Sequence, residues 1–168
     1  MNESASVFSV SIVALPPLSL FGLFVRTTME KAPQDCSRLW EQVFLPRMPE
    51  LNPKAHSEFP GDSYGVSVMD MDNADTHAFT YWAAMAVPEG MPLPEGMSRF
   101  DLPGGFYATC RVPSLERIGE AYTYLYMGWD TAGAGYELIM PAPCFERYGK
   151  DYLSSGALDI FAPVRKLA

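Results

Sequence analysis

Two stretches of this chain repeat apolar residues with the period of an α-helix, while the runs around them alternate. That combination confines the fold to helices laid on a sheet. In the first stretch Cys36, Leu39, Trp40, Val43 and Phe44 fall at i, i+3, i+4, i+7 and i+8, one buried helical stripe. Asp35 is placed to cap its N-terminus and Pro46 to stop it. In the second, Leu115, Ile118, Tyr122, Leu125 and Trp129 hold one face of a helix over about Ser114 to Gly128, with Pro113 just before it.

The alternating runs frame these helices in a repeated order. Two strand pieces, about Val7 to Leu15 and Leu18 to Thr28, precede the first helix and meet at a Pro16-Pro17 kink. After a polar loop over Pro46 to Asp62, Tyr64 to Met71 and Phe79 to Val87 read as a hairpin across Asp72-Asn73-Ala74-Asp75. A Pro-, Glu-, Gly- and Met-rich connector, Pro88 to Gly96, then divides the chain. Beyond it the order recurs: a strand over about Arg99 to Arg111, the second helix, a Gly-rich loop at Asp130 to Gly135, the strand Pro143 to Tyr148 and a last strand over about Leu158 to Val164. The expected fold is a single α+β domain over residues 1–168. It has two pseudo-symmetric strand-helix-strand-strand halves, about 1–88 and 97–168, and an antiparallel sheet with helices on one face.

Charge and composition remove several function classes. A net charge of −8 without a basic stripe is unfavourable for binding phosphate backbones, so no direct nucleic-acid contact is expected. An acidic field instead raises the local concentration of cations. Cys36, Cys110 and Cys144 are widely spaced, which suits a reducing cytoplasm rather than a disulfide framework. His56 and His77 lack metal-ligand spacing, and neither a metal nor a cofactor is expected. The apolar stretch from Val7 to Val25 is broken by Pro16-Pro17 and led by Glu3 without a basic residue, so it reads as strand rather than signal peptide or membrane span.

The strand Pro143-Cys144-Phe145-Glu146-Arg147-Tyr148 carries the most chemistry. Alternation puts Cys144, Glu146 and Tyr148 on one face and Phe145 and Arg147 on the other. A buried carboxylate there needs a cation or several donors. A bound cationic ligand would supply one; Arg111 or Arg147 would be the structural alternative. In the strand from Phe79 the bulkier set Phe79, Tyr81, Ala83 and Met85 looks like core, which leaves Trp82 as a candidate cleft wall.

These pieces together resemble the GyrI-like effector-binding domains, found as standalone proteins and as the drug-sensing parts of AraC-type and MerR-type transcription activators. The resemblance is carried by Tyr64-Gly65-Val66-Ser67, Phe79-Thr80-Tyr81, Leu102-Pro103-Gly104-Gly105-Phe106-Tyr107-Ala108, the helix leading to Trp129, Gly135-Tyr136-Glu137 and Phe145-Glu146-Arg147-Tyr148. It implies a cleft for lipophilic, often cationic, small molecules with Glu146 at its floor, and Trp82, Tyr64, Tyr81 and Phe106 are the candidate walls. The family often has a His-Gly turn before the second helix and a glycine in the hairpin strand; here Arg111-Val112-Pro113-Ser114 and Ala84 stand in those places.

Two further function classes stay open. Some GyrI-like proteins are hydrolases that open strained rings, so Glu146 could serve as general base with Tyr64 or Tyr81 orienting substrate. No second catalytic carboxylate has diagnostic spacing, since Glu137 and Asp130 fall near a loop. Other members are linked to gyrase inhibition, which leaves a protein partner or a homodimer as an expectation.

Overall fold

Nine strands and three helical stretches are found in residues 8–51, 63–69, 77–88, 90–149 and 151–168, the part that this computed structural model describes. Strands β1 (Val10–Leu15) and β2 (Leu18–Thr28) lead into α1 (Ala32–Arg38), which runs on through a π turn (Leu39–Phe44), a 3-10 turn (Leu45–Arg47) and α2 (Met48–Leu51). Next come β3 (Ser63–Met69), β4 (Ala78–Ala86), β5 (Ser98–Leu102) and β6 (Gly105–Val112). A 3-10 turn (Leu115–Arg117), α3 (Ile118–Thr123) and a second π turn (Tyr124–Gly128) form the other long helix. The chain ends with β7 (Tyr136–Leu138), β8 (Cys144–Tyr148), α4 (Tyr152–Ser155) and β9 (Leu158–Lys166).

The sheet order is β1-β6-β9-β8-β3-β4-β2-β5, with β7 added on β9 and every pairing antiparallel. Read from its two ends the order matches strand for strand: β1 with β5, β6 with β2, β9 with β4, and β8 with β3 at the centre. The fold is therefore α+β with pseudo-twofold pairing about the β3–β8 seam, as expected. Each half lends its first strand to the other, since β1 pairs with β6 and β5 pairs with β2.

Those two exchanged pairs share one register. Val10 faces Cys110 and Leu15 faces Gly105; beyond the corner Leu18 faces Leu102 and Gly22 faces Ser98. Pro16-Pro17 and Pro103-Gly104 occupy the corner, where prolines are tolerated because the ladder is interrupted. Gly104 is required there by space, because a Cβ would lie 2.7 Å from the Pro17 Cδ. Since β1 continues into β2 and β5 into β6, joining opposite ends of the strand order, the sheet coils. Its helix-free face is consequently lined by a buried core of Leu20, Tyr64, Val66, Ala84, Leu102, Tyr107, Phe145 and Phe161.

Both long helices pack on the opposite face, one over each half. The first covers Phe21, Phe79, Tyr81, Ala83 and Met85 with Leu39, Phe44 and Leu51. The second covers Ala108, Cys110, Val112, Leu158, Ile160 and Ala162 with Ala121 and Leu125. Between them lies the β3–β8 seam. Among the described residues no helix is long and apolar enough to cross a membrane, which says nothing of strand-built spans.

Several boundaries differ from the sequence expectations. Asp35 caps no helix; it lies within α1 and accepts a hydrogen bond from Thr27 Oγ1 at 2.8 Å. Pro46 does not stop the first helix, because it falls in the opening residues of a 3-10 turn, where a missing N–H leaves no bond unmade. The strand over Arg99 to Arg111 is two strands broken at Pro103-Gly104. The short strand β7 follows directly on the Gly-rich loop. The turn at Asp72 to Asp75, His56 and most of the loop from Pro46 to Asp62 lie outside the described residues.

Candidate functional site

The seam strands present Gly65 and Glu146 opposite each other, on the face that carries the helices. Alternation along β8 brings Cys144 and Tyr148 to the same face, while Phe145 joins the core on the other side. Glu146 is 5% exposed. Among the described residues no Lys, Arg or His forms an ion pair with it. The structural alternative of an arginine partner is not what is found: Arg111 pairs with Asp151 and with Asp159 at 3.2 Å, and Arg147 pairs with Asp159 at 3.6 Å.

Phenols take the place of a cation. Tyr81 of β4 donates to Glu146 Oε1 in a short hydrogen bond, Tyr148 of β8 donates to the same oxygen at 3.2 Å, and Tyr122 of α3 donates to Oε2 at 3.2 Å. Trp40, in the first π turn, donates its indole N–H to the Tyr81 hydroxyl at 2.9 Å, so Tyr81 both accepts and donates. One donor chain therefore runs from the first helix through β4 to Glu146, and a second comes from the other helix. Gly65 makes the approach feasible. A Cβ there would collide with both the Tyr81 hydroxyl and Glu146 Oε1.

Burial raises the Glu146 carboxyl from its usual 4.5 to about 7, with the three phenol bonds opposing that rise. The same burial, with the Glu146 charge adding to it, pushes the Tyr81 hydroxyl well above its ordinary range. Cys36 is pushed up to about 12 by burial and then by Glu146. Cys144 is pushed up to about 11, again chiefly by burial. Neither thiol is therefore activated as a nucleophile. Aromatic rings continue outward from the carboxylate: Trp40 meets Tyr148 edge-on at 5.5 Å, and Tyr148 meets Tyr152 at 4.8 Å. Trp40, Tyr122, Tyr148 and Tyr152 are all partly exposed, whereas Tyr81 and Glu146 are buried.

Of the five residues singled out from the sequence, only Glu146 and Tyr81 come together here. Tyr64 and Trp82 point to the other face of the sheet. Tyr64 packs on Phe145, and Trp82 lies between Phe24 and Phe100 at 4.8 and 5.2 Å. Their parity along β3 and β4 opposes that of Gly65 and Tyr81, so they cannot wall a site that contains Glu146. Phe106 lies on β6 against Tyr136, at the edge of a separate apolar recess of about 240 Å³ bordered by Pro143 and Val164. Trp40, Tyr122 and Tyr148 join the carboxylate instead. Trp40 and Tyr122 were hidden in the helical stripes, whereas Tyr148 was legible as a neighbour of Glu146 by alternation.

Residues 11–164 match the family model of the integron-associated effector-binding protein Cass2. The chain belongs to that family. Within this Cass2 family setting, the coiled sheet is also that of SAV2435, solved bound to tetraphenylphosphonium, at 16% identity and a TM-score of 0.70 over 94% of both chains. The integron cassette protein VCH_CASS2 of Vibrio cholerae superimposes with a TM-score of 0.62 at 19% identity, over 93% of this chain and 95% of that one. The transcriptional regulator BrlR of Pseudomonas aeruginosa is 34% identical over 117 residues, 68% of this chain. That alignment spans 39% of BrlR, so this chain corresponds to part of the regulator.

Proposed function

We propose that this Cass2-family chain binds lipophilic cations over the β3–β8 seam, with Glu146 as charge partner and Trp40, Tyr81, Tyr122 and Tyr148 as aromatic walls. The observation that carries the reading is a carboxylate 5% exposed, held by phenol donors and without a basic partner among the described residues. A charge taken out of water without a counter-charge is expensive, and here the expense appears as a carboxyl that titrates at about 7. A cation over the seam restores the ionised form. Each ring beneath it adds about 0.5–2 kcal/mol of cation–π attraction. The tetraphenylphosphonium held by SAV2435, a protein of the same fold, supports this ligand class.

A thermal-shift comparison tests it. At about a hundred times its dissociation constant a ligand stabilises by about 2.7 kcal/mol, which displaces the melting midpoint visibly. Tetraphenylphosphonium should raise the midpoint of the wild type, neutral tetraphenylmethane-like probes should not, and Glu146→Gln should remove the cation effect. A shift retained in full by Glu146→Gln would exclude Glu146 as the partner.

One observation favours a second, hydrolytic reading. A carboxyl titrating at about 7 beside a phenol is suited to moving a proton at neutral pH. In that reading Glu146 activates water toward a strained-ring electrophile. Multiple-turnover product formation, lost in Glu146→Gln, would distinguish it from binding alone.

A further inference from the structure

The hydrogen bonds on Glu146 carry the site's ligand class further. An ionised carboxylate offers about four acceptor positions, two on each oxygen. Tyr81 and Tyr148 occupy both positions on Oε1, and Tyr122 occupies one on Oε2. Tyr81 is held in place from behind by the Trp40 indole and from below by the bare Cα of Gly65. A guanidinium or amidinium binds a carboxylate through two parallel N–H bonds, one to each oxygen. Here Oε1 has no position left for one of them.

We infer that the tyrosine-saturated Glu146 selects cations whose charge is shielded by carbon, such as phosphonium and quaternary ammonium groups, over cations that need forked N–H bonds. This rests on the lipophilic-cation reading above. A shielded cation needs only the field of the carboxylate and the ring faces around it, both of which the phenols leave intact. An amidinium must either displace a phenol or leave its own N–H groups on neutral hydroxyl oxygens. Leaving a buried donor without a matched acceptor is the penalty that lets polar sites discriminate strongly. Tyr148 is thus specificity-determining, because removing its hydroxyl frees a position on Oε1 beside the one already open on Oε2; removing the Tyr122 hydroxyl as well clears Oε2 of phenols.

Three probes that share a biphenyl body separate the possibilities: one carries trimethylammonium, one amidinium, and one the neutral tert-butyl group of the same shape as trimethylammonium. Affinities are measured by calorimetry at pH 8.5, so that Glu146 is ionised. The wild type is expected to bind trimethylammonium at least about tenfold tighter than amidinium and than tert-butyl, a preference on the order of 1.4 kcal/mol per tenfold. Tyr122→Phe/Tyr148→Phe keeps both rings and is expected to reverse the order of the two cations. If wild type binds amidinium as tightly as trimethylammonium, with tert-butyl weaker than both, the cation reading survives and this inference is overturned. If tert-butyl binds as well as trimethylammonium, or none of the probes binds, the cation reading itself fails and the inference with it. Should the double variant not fold, Tyr148→Phe alone provides the test, since it frees the position on Oε1: a gain for amidinium relative to trimethylammonium supports the inference, and an equal loss for both, as a packing role would give, overturns it.

Discussion

Glu146 titrates where it does because it is buried, and that makes stability depend on pH in a definite direction. Its folded-state value of about 7 lies above the usual 4.5, so the native state holds this proton more tightly than the unfolded chain does. The contribution favours folding fully below about pH 4.5 and is lost as pH rises through 7. Across that window it amounts to about 3 kcal/mol, at 1.36 kcal/mol for each pH unit. Urea unfolding from pH 5 to 8 should therefore show wild type losing stability relative to Glu146→Gln; parallel curves would contradict the assignment. Gly65→Ala should destabilise by about 1–3 kcal/mol, because the new methyl has to displace either Tyr81 or Glu146. It should also weaken tetraphenylphosphonium binding, whereas unchanged affinity and midpoint would show that the seam has slack. At this scale the sequence was informative about Glu146 and Tyr148, whose shared face follows from strand geometry alone. It misplaced Tyr64 and Trp82. Alternation divides a strand into two sets but does not say which set meets the helices, and a coiled sheet buries apolar residues on both sides.

The elements that position the site are the two long helices, and both widen into π turns, at Leu39–Phe44 and Tyr124–Gly128. Such turns often occur at functional sites. Here one contains Trp40 and the other begins two residues after Tyr122. Leu125, fully buried in the second turn, fixes that helix against β6 and β9. Leu125→Ala should cost about 2–5 kcal/mol in chemical denaturation, and a cost below 1 kcal/mol would show that the helix is not held there. Trp40→Phe keeps a ring but deletes the donor to Tyr81. It should leave the midpoint within about 1 kcal/mol of wild type, the usual net contribution of one hydrogen bond, while loosening cation binding. Both helices were legible from their apolar stripes. Their ends were less so, since the continuation past Pro46 and the break at Pro103-Gly104 depend on tertiary packing around the prolines.

For the molecule as a whole, the repeated strand-helix-strand-strand order was enough to predict pseudo-symmetric halves and an antiparallel sheet. It did not reveal the strand exchange, because register across Pro16-Pro17 and Pro103-Gly104 is a long-range property. That exchange coils the sheet and sets the two halves edge to edge at β3 and β8, which is why one carboxylate can be reached from both helices. The net charge of −8 adds a long-range attraction for cations, which salt will screen. The buried contact should be far less sensitive to salt. The most direct test of the account is the number of protons released when tetraphenylphosphonium binds, measured by calorimetry in buffers of different ionisation enthalpy. If the cation pairs with ionised Glu146, nearly one proton should leave at pH 6 and almost none at pH 8.5, and Glu146→Gln should release none at either pH. Binding without proton release at pH 6, or release that persists in Glu146→Gln, would contradict it.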